Sequence, residues 1–235
     1  MVFISILIPV YNGVEFLEQC IHSVLSQTYM DWEVWIGING HGSDGGEIMP
    51  IVRKIAALDP RIHMVIQGPP LKGKVESMNH LVSLATTEWI AVLDCDDVWD
   101  RNKLTRQVHT MYHVASDAAV IGTFCRYFGE SYAIPNIPSG YVDSQFLEHT
   151  NPIINSSSLI RKQYCTWEYN EIDYGIEDFH LWMKICLSGG KLYNIPEILT
   201  WHRIHKTSAF NSQGYSDAPL REWYRLKRIT PNTSD

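Results

Sequence analysis

Four residues, Asp94-Cys95-Asp96-Asp97, place three carboxylates at the end of the apolar run "WIAVLD". Like charges so close repel one another, and at a buried strand end they are costly unless a cation gathers them. Oxygen-only ligands suit Mg2+ or Mn2+, whose octahedral shells are completed by water and substrate phosphates. A helix N-cap by Asp97 or Asp100, before the run from Arg101, accounts for one aspartate and not three. Further along, Glu177-Asp178 opens a helical stretch, where acidic residues also complement the helix dipole. In "WHRIH", residues 201–205, strand alternation puts His202 and Ile204 on one face and His205 on the other. Asn155-Ser156-Ser157 is a short polar run of a kind common in turns. Gly40-x-Gly42-x-x-Gly45 spells the dinucleotide-binding fingerprint.

The elements that must hold these residues follow from periodicity. "FISILIPV", "WEVWIGI", "IHMVIQ" and "WIAVLD" are continuous apolar runs, as expected of strands buried on both faces. Between them, apolar residues recur at helical spacing: Val14 to Leu25, Ile48 to Ile55 and Val75 to Ala85. This β-α-β-α-β-α-β order predicts an α/β fold with a mostly parallel central sheet flanked by helices. In open α/β sheets, ligands bind outside the carboxyl ends of the strands. Those ends are "IPVYNG", Asn39, Gln67 with "GPPLKGK" after it, and "LDCDDVW". Beyond residue 100 the pattern predicts a helix from Leu104 to Ala115, a strand in "AAVIGTFCRYF" and a loop over 129–140. A short strand in "SSSLI", a helix in "EDFHLWMKICLSGG" and two short strands around Pro196 complete it. One domain spans 1–215, with a Rossmann-like nucleotide-binding half over 1–100 and an acceptor half over 101–215. Residues 216–235 read as a C-terminal tail with a frayed end, "TPNTSD".

Composition narrows the function. A net charge of −7 argues against a nucleic-acid surface. Five scattered cysteines, odd in number and without a C-x-x-C, argue against a zinc site or disulfide framework and fit a reducing, cytoplasmic compartment. The apolar start is about ten residues long and lacks a basic lead, so it reads as a strand and not a signal peptide. No run approaches the ~20 apolar residues of a transmembrane segment.

The motifs, taken in order, resemble the inverting glycosyltransferases of family 2, which have the GT-A fold. "ISILIPVYNGVEFLEQCIHSVLSQTYMDWEV" is similar to that family's opening strand, helix and second strand. "WIAVLDCDDVWDRNKLTRQ" is similar to its aspartate motif, "GIEDFHLWMKICLSGGKL" to its Glu-Asp segment, and "WHRIHKTS" to its late Arg-x-His segment. The resemblance implies roles. Pro9, Tyr11 and Glu15 would line the base and ribose pocket, and Asp94 would reach the ribose or donor sugar. Asp96 would bind Mn2+ or Mg2+ with Asp97 nearby, and His205 would complete that site. Arg203 and His205 would face the diphosphate, with Lys74 a further group to offset its charge. Asp178 would deprotonate an acceptor hydroxyl while Glu177 helps to hold the sugars. The implied donor is a UDP-sugar, UDP-glucose first because it is common in the family, and the acceptor a carbohydrate or glycoconjugate. Nucleic acid is not an expected partner, and a homo-oligomer is allowed. The loop 129–140 and the aromatics Trp167, Tyr169, Tyr174 and Trp182 would border the acceptor.

One departure stands out. The family usually ends its second strand with an aspartate that reads the base; here Ile38 holds that place, with Asn39 beside it. Asn39 and the backbone of Gly40 to Gly42 are therefore expected to contact the base. The fingerprint glycines follow the second strand, not the first, and the next strand ends in "VIQG" without an acid, so a dinucleotide site is disfavoured. Two rivals remain. A sugar-nucleotide pyrophosphorylase needs a Gly-rich basic loop after the first strand, and "IPVYNGVEF" is not one. A catalytically inactive nucleotide-sugar-binding protein is opposed by the joint presence of Asp94, Asp96, Asp178 and His205.

Overall fold

The computed structural model describes residues 3–68, 71–168, 176–206 and 216–229. The first half alternates as its sequence pattern predicts: β1 (Ile4–Val10), α1 (Val14–Leu25), β2 (Trp32–Asn39), α2 (Met49–Ala56), β3 (Ile62–Gln67), α3 (Gly73–Leu84) and β4 (Trp89–Val92). There follow β5 (Val98–Trp99), α4 (Lys103–His113), β6 (Ala118–Gly129), β7 (Gly140–Tyr141), β8 (Leu159–Arg161), α5 (Glu177–Leu187), β9 (Lys191–Ile204) and α6 (Ala218–Ile229). One sheet runs β3-β2-β1-β4-β8-β6-β9-β5, with β7 on β9. The β3-β2-β1-β4 half is parallel throughout. β8 joins antiparallel to both β4 and β6, and β6 pairs parallel with β9.

Both faces of the sheet are covered, which is why its strands are apolar on both sides. Ile4, Ile6, Ile8 and Val10 of β1 pack under α1, α2 and α4, whereas Leu7 faces α3, α5 and α6. The chain winds from β1 to β2 to β3 on one side of β1, then returns to β4 on the other. That reversal opens a crevice between the carboxyl ends of β1 and β4, the usual ligand position of such sheets. The two ends are stitched together there. Gly13, at φ +78, turns the chain into α1 in a conformation that favours glycine, and lies against the Cys95 sulfur. The Cys95 thiol donates to the Asn12 carbonyl at 3.2 Å.

Two expectations need correction. The two short strands around Pro196 are one strand, β9, with a bulge: Thr123 pairs with Ile195 and Phe124 with Ile198, leaving Pro196 and Glu197 between. A bulge is where a strand tolerates a residue without an N–H. The segment 216–235 is also more than a tail. Its helix α6 buries Leu220 and Tyr224 completely, in the core shared with α5. Residues 230–235 lie outside the described residues. Among the described residues, no helix is long and apolar enough to cross a membrane.

Candidate active site

The acidic loop after β4 sends each aspartate to a different partner. Asp94 meets the Lys74 ammonium from α3 at 2.7 Å, and Lys74 reaches Glu177 of α5 at 3.6 Å. Asn155 donates to both Asp94 carboxylate oxygens, at 3.2 and 3.1 Å, and the Asp94 N–H donates to Ser156 Oγ at 3.0 Å. Asp96 faces His205 Nε2 at 2.8 Å. Asp97 is fully buried; it meets His202 Nδ1 at 3.0 Å and accepts from the Arg203 N–H at 2.7 Å. Asp178, beside Glu177, accepts from Asn151 Nδ2 at 3.0 Å. Residues scattered over more than a hundred positions thus gather beyond the carboxyl end of β4. Neither Asp97 nor Asp100 is the N-cap: α4 starts after Asn102 with no side-chain cap, and Asp100 Oδ1 accepts from the Asn102 N–H at 2.8 Å just before the helix.

Electrostatics differentiates the carboxylates. Burial, reinforced by the Glu177 charge, raises Asp178 to about 6 against the pull of Lys74 and Asn151. Burial and then the charges of Asp97 and Asp94 raise Asp96 to about 6, although His205 bonds to it. Burial opposes the charged forms of both Lys74 and Asp94, yet their pairing prevails: Lys74 is raised and Asp94 lowered. Burial alone would push His202 down; the charge and hydrogen bond of Asp97, with Asp94 and Asp96, overcome it and hold His202 up at about 9.

Arg203 is not open toward a diphosphate in this geometry. Its guanidinium lies between the Phe16 and Phe128 rings, 4.4 and 4.2 Å from their centroids. Its Nε donates to the Asp96 carbonyl at 2.8 Å and its Nη2 to Gln19 Oε1 at 2.6 Å. It clasps the acidic loop to α1. Tyr11 is 62% exposed at the β1 end, Pro9 lies in β1 beside it, and Glu15 is exposed in the first turn of α1.

Three residues expected to touch ligands do not. Asn39 is buried, and its amide is spent: Leu71 N–H donates to its Oδ1 at 2.9 Å and its Nδ2 donates to the Leu71 carbonyl at 3.2 Å. It pins the loop between β3 and α3 and does not face a base. Asn39→Ala is expected to cost about 1–3 kcal/mol of stability, because the orphaned Leu71 groups lose their partner; urea denaturation measures it, and an unchanged midpoint would refute the pinning. Trp182 is fully buried, with Nε1 donating to the Ile153 carbonyl at 3.2 Å. Trp167 is buried too, its backbone paired both ways with the Asn79 amide. Tyr169 and Tyr174 lie outside the described residues, as do Pro69 and Pro70 of "GPPLKGK" and Thr207 and Ser208 of "WHRIHKTS". The loop 129–140 is irregular as expected and exposes Tyr132 and Ile134.

The fingerprint glycines do not open a long helix. Gly40, Gly42 and Gly45 all have positive φ, and a short 3-10 turn follows Gly45. A side chain at Gly40 would strike the Tyr11 ring at 2.3 Å, so its absence lets this loop lie on the β1 end, where His41 Nε2 meets the Tyr11 carbonyl at 2.7 Å. Sequence reasoning missed Asn151 as the Asp178 partner and Arg203 as a clasp. Asn155 was visible only as the start of a polar run.

A family model, Glycosyl transferase family 2, matches residues 5–168. The UDP-Glc:alpha-D-GlcNAc-diphosphoundecaprenol beta-1,3-glucosyltransferase WfaP of Escherichia coli is 27% identical over 219 residues, covering 88% of this chain and 80% of that protein. TarS 1-349 of S. aureus, in complex with UDP-GlcNAc, superposes with a TM-score of 0.77 at 13% identity, over 99% of this chain and 68% of that one. The mannosyltransferase PcManGT from Pyrobaculum calidifontis, in complex with GDP-Man and Mn2+, gives 0.66 at 15% identity, over 99% and 65%. The two structural likenesses establish the GT-A type of fold.

Proposed function

The chain belongs to glycosyl transferase family 2 and is a glycosyltransferase, and from that premise we propose that it moves a sugar from a UDP-sugar to a hydroxyl of a glycan or glycoconjugate, with inversion. The observation that carries this reading is the convergence of Asp178, a half-buried carboxylate raised to about 6, with Glu177, Lys74 and Asp94. A base poised near neutrality can take the acceptor proton as the acceptor oxygen attacks the anomeric carbon. The bond from that carbon to the diphosphate breaks in the same displacement, which inverts the centre. Glu177 and Asp94, joined through Lys74, would hold hydroxyls of the donor. The Lys74 ammonium would offset charge growing on the leaving diphosphate.

UDP-glucose is the first donor to test, supported by the name of the Escherichia coli relative. The division of labour follows the sheet: residues 1–100 for the donor and 101–215 for the acceptor, with α6 bracing the second half. Five free cysteines are in keeping with a cytoplasmic setting. With Asn39 engaged by Leu71, base reading passes to Tyr11, Pro9 and the backbone of Gly40 to Gly42.

A divalent cation fits the donor set. Asp96 and His205 already meet at one point, each a ligand type that such ions accept. Among the described residues, no group of three or more His, Cys, Asp or Glu converges on one point. Mg2+-type sites commonly use one or two carboxylates and complete the shell with substrate phosphates and water. When bound, the ion would neutralise diphosphate charge.

The test is a donor screen that detects released nucleoside diphosphate with Mn2+ present. Release from UDP-glucose or another UDP-sugar, lost in excess chelator and restored by Mn2+ or Mg2+, is the expected result. Undiminished turnover by Asp96→Ala in chelator would remove the metal assignment, and release from no UDP-sugar would remove the donor assignment.

A further inference from the structure

A polar run with no role so far, Asn155-Ser156-Ser157, forms a buried 3-10 turn directly against the acidic loop. It grips Asp94 twice, through the Asn155 amide on the carboxylate and through Ser156 Oγ on the backbone N–H. The turn is itself gripped from below. Trp99 Nε1 donates to the Ser156 carbonyl at 2.7 Å. Gln107 Nε2 donates to the Ser157 carbonyl at 2.9 Å and to the Ile121 carbonyl at 2.6 Å. Behind Gln107 stands Lys103, fully buried one helical turn earlier on α4. Its Nζ donates to Gln107 Oε1 at 2.8 Å and lies 3.9 Å from the centroid of a Trp99 ring.

A fully buried lysine without a carboxylate partner is costly. Burial drives its ammonium well below the ordinary lysine range, with no acidic neighbour holding it up. It is therefore not a counter-ion for the aspartates. Its geometric effect is on Gln107: by occupying the amide oxygen, it aims the amide nitrogen at the two carbonyls. The same chain of contacts continues through the turn to Asp94.

We propose that Asn155 is a positioning residue for Asp94, and that Lys103 and Gln107 act as the strut that holds Asn155 in place. Asn155 fixes the rotation of the Asp94 carboxylate from one side while Lys74 holds it from the other. The donor then meets a carboxylate already turned toward it, so the loss on removing Asn155 falls on donor binding. The inference rests on the reading of Asp94 as a donor contact.

The experiment is a double-mutant cycle on the full chain. UDP-glucose is titrated calorimetrically into wild type, Asn155→Ala, Asp94→Ala and the double variant, and donor KM and kcat are measured for each. A hydrogen bond to a charged group corresponds to about a tenfold effect or more. Asn155→Ala is expected to raise donor KM about tenfold while kcat at saturating donor stays within about twofold, the pattern of lost uniform binding. In the Asp94→Ala background the same change should add nothing, because its route passes through Asp94. Lys103→Met keeps the apolar stem and removes the amine; a smaller KM rise, again absent without Asp94, is expected. Losses that add in the double variant overturn the proposal. So does an unchanged KM in an Asn155→Ala protein that melts like wild type. Should Asn155→Ala fail to fold, Lys103→Met carries the same cycle. A wild type that binds neither UDP nor UDP-glucose sinks the donor reading and this inference with it; binding with additive losses sinks this inference alone.

Discussion

Asp178→Asn lowers kcat by about 100-fold or more at pH 7.5 and leaves UDP affinity within about twofold; that is the expected result, and the reasoning is chemical. The amide keeps the shape and can still accept from Asn151, which bonds the native carboxylate at 3.0 Å. What it loses is basicity, and general-base assistance is typically worth ~10²–10⁴-fold. Because the native group is held at about 6, wild-type kcat should climb as pH rises through that value and level off above it. The variant should show no such limb. The stability effect has the opposite sign. A carboxyl raised in the folded protein binds its proton more tightly there than in the unfolded chain, so the native state loses stability as pH rises from about 4 to 6. Asp178→Asn should therefore melt higher than wild type at pH 7.5, with the gap closing below pH 4. Rate measurements across pH 5–9, paired with melting curves, check both. A variant with native kcat, or one whose UDP affinity collapses, would move the base elsewhere.

Asp97→Ala should cost about 3–5 kcal/mol of stability, the usual penalty for removing one member of a buried ion pair. Asp97 is fully enclosed and serves His202 and the Arg203 N–H together. Its loss leaves His202 half-buried without the partner that holds its charge, and the Arg203 N–H without its acceptor, where β9 meets the acidic loop. The penalty should depend on pH. His202 is raised to about 9 in the folded protein, above the ordinary histidine value. The pair's contribution is therefore complete below about pH 6.5 and fades as pH rises through about 9. Chemical denaturation at pH 6 and pH 9.5 decides the matter. A loss of equal size at both values would mean that His202 is neutral and that the link is an ordinary hydrogen bond.

The first half of the fold was legible because its central strands, β1 and β4, are buried on both faces. A run such as "ISILIPV" has no polar alternation to confuse it with a surface strand, and each run is followed by a clean helical stripe. The acidic loop was legible for a similar reason: three aspartates at one strand end have few cheap explanations. Which aspartate does what was readable only through the family resemblance, which set Asp96 beside His205; the local pattern says nothing of it, because the partners lie in and just after β9. Asp96 and Asp97 are neighbours in sequence, and only His205 and His202, more than a hundred residues on, tell them apart. Asn39 misled for the opposite reason. Its chemistry suits a base, but Leu71 returns from a later loop to take both ends of the amide. Trp182 is buried with Phe179 and Met183 of the expected stripe, but His180, Leu181 and Ile185 are buried too, so α5 is enclosed on more than the one face, and burial excludes the substrate role. The bulge at Pro196 and the packed α6 depend on partners that no local pattern contains.

The span between the acidic loop and its partners also orders events during synthesis. A ribosome releases β1 to β4 first, and these can pair with one another as they emerge. The contacts that divide the labour among Asp96, Asp97 and Arg203 bridge 105 to 109 positions of sequence. Long closures of this kind come late in folding, and domains assemble from the N-terminal side as the chain grows. A nascent chain stopped anywhere before residue 202 thus carries Asp96 and Asp97 without these partners, whereas Asp94 already has Lys74 and Asn155.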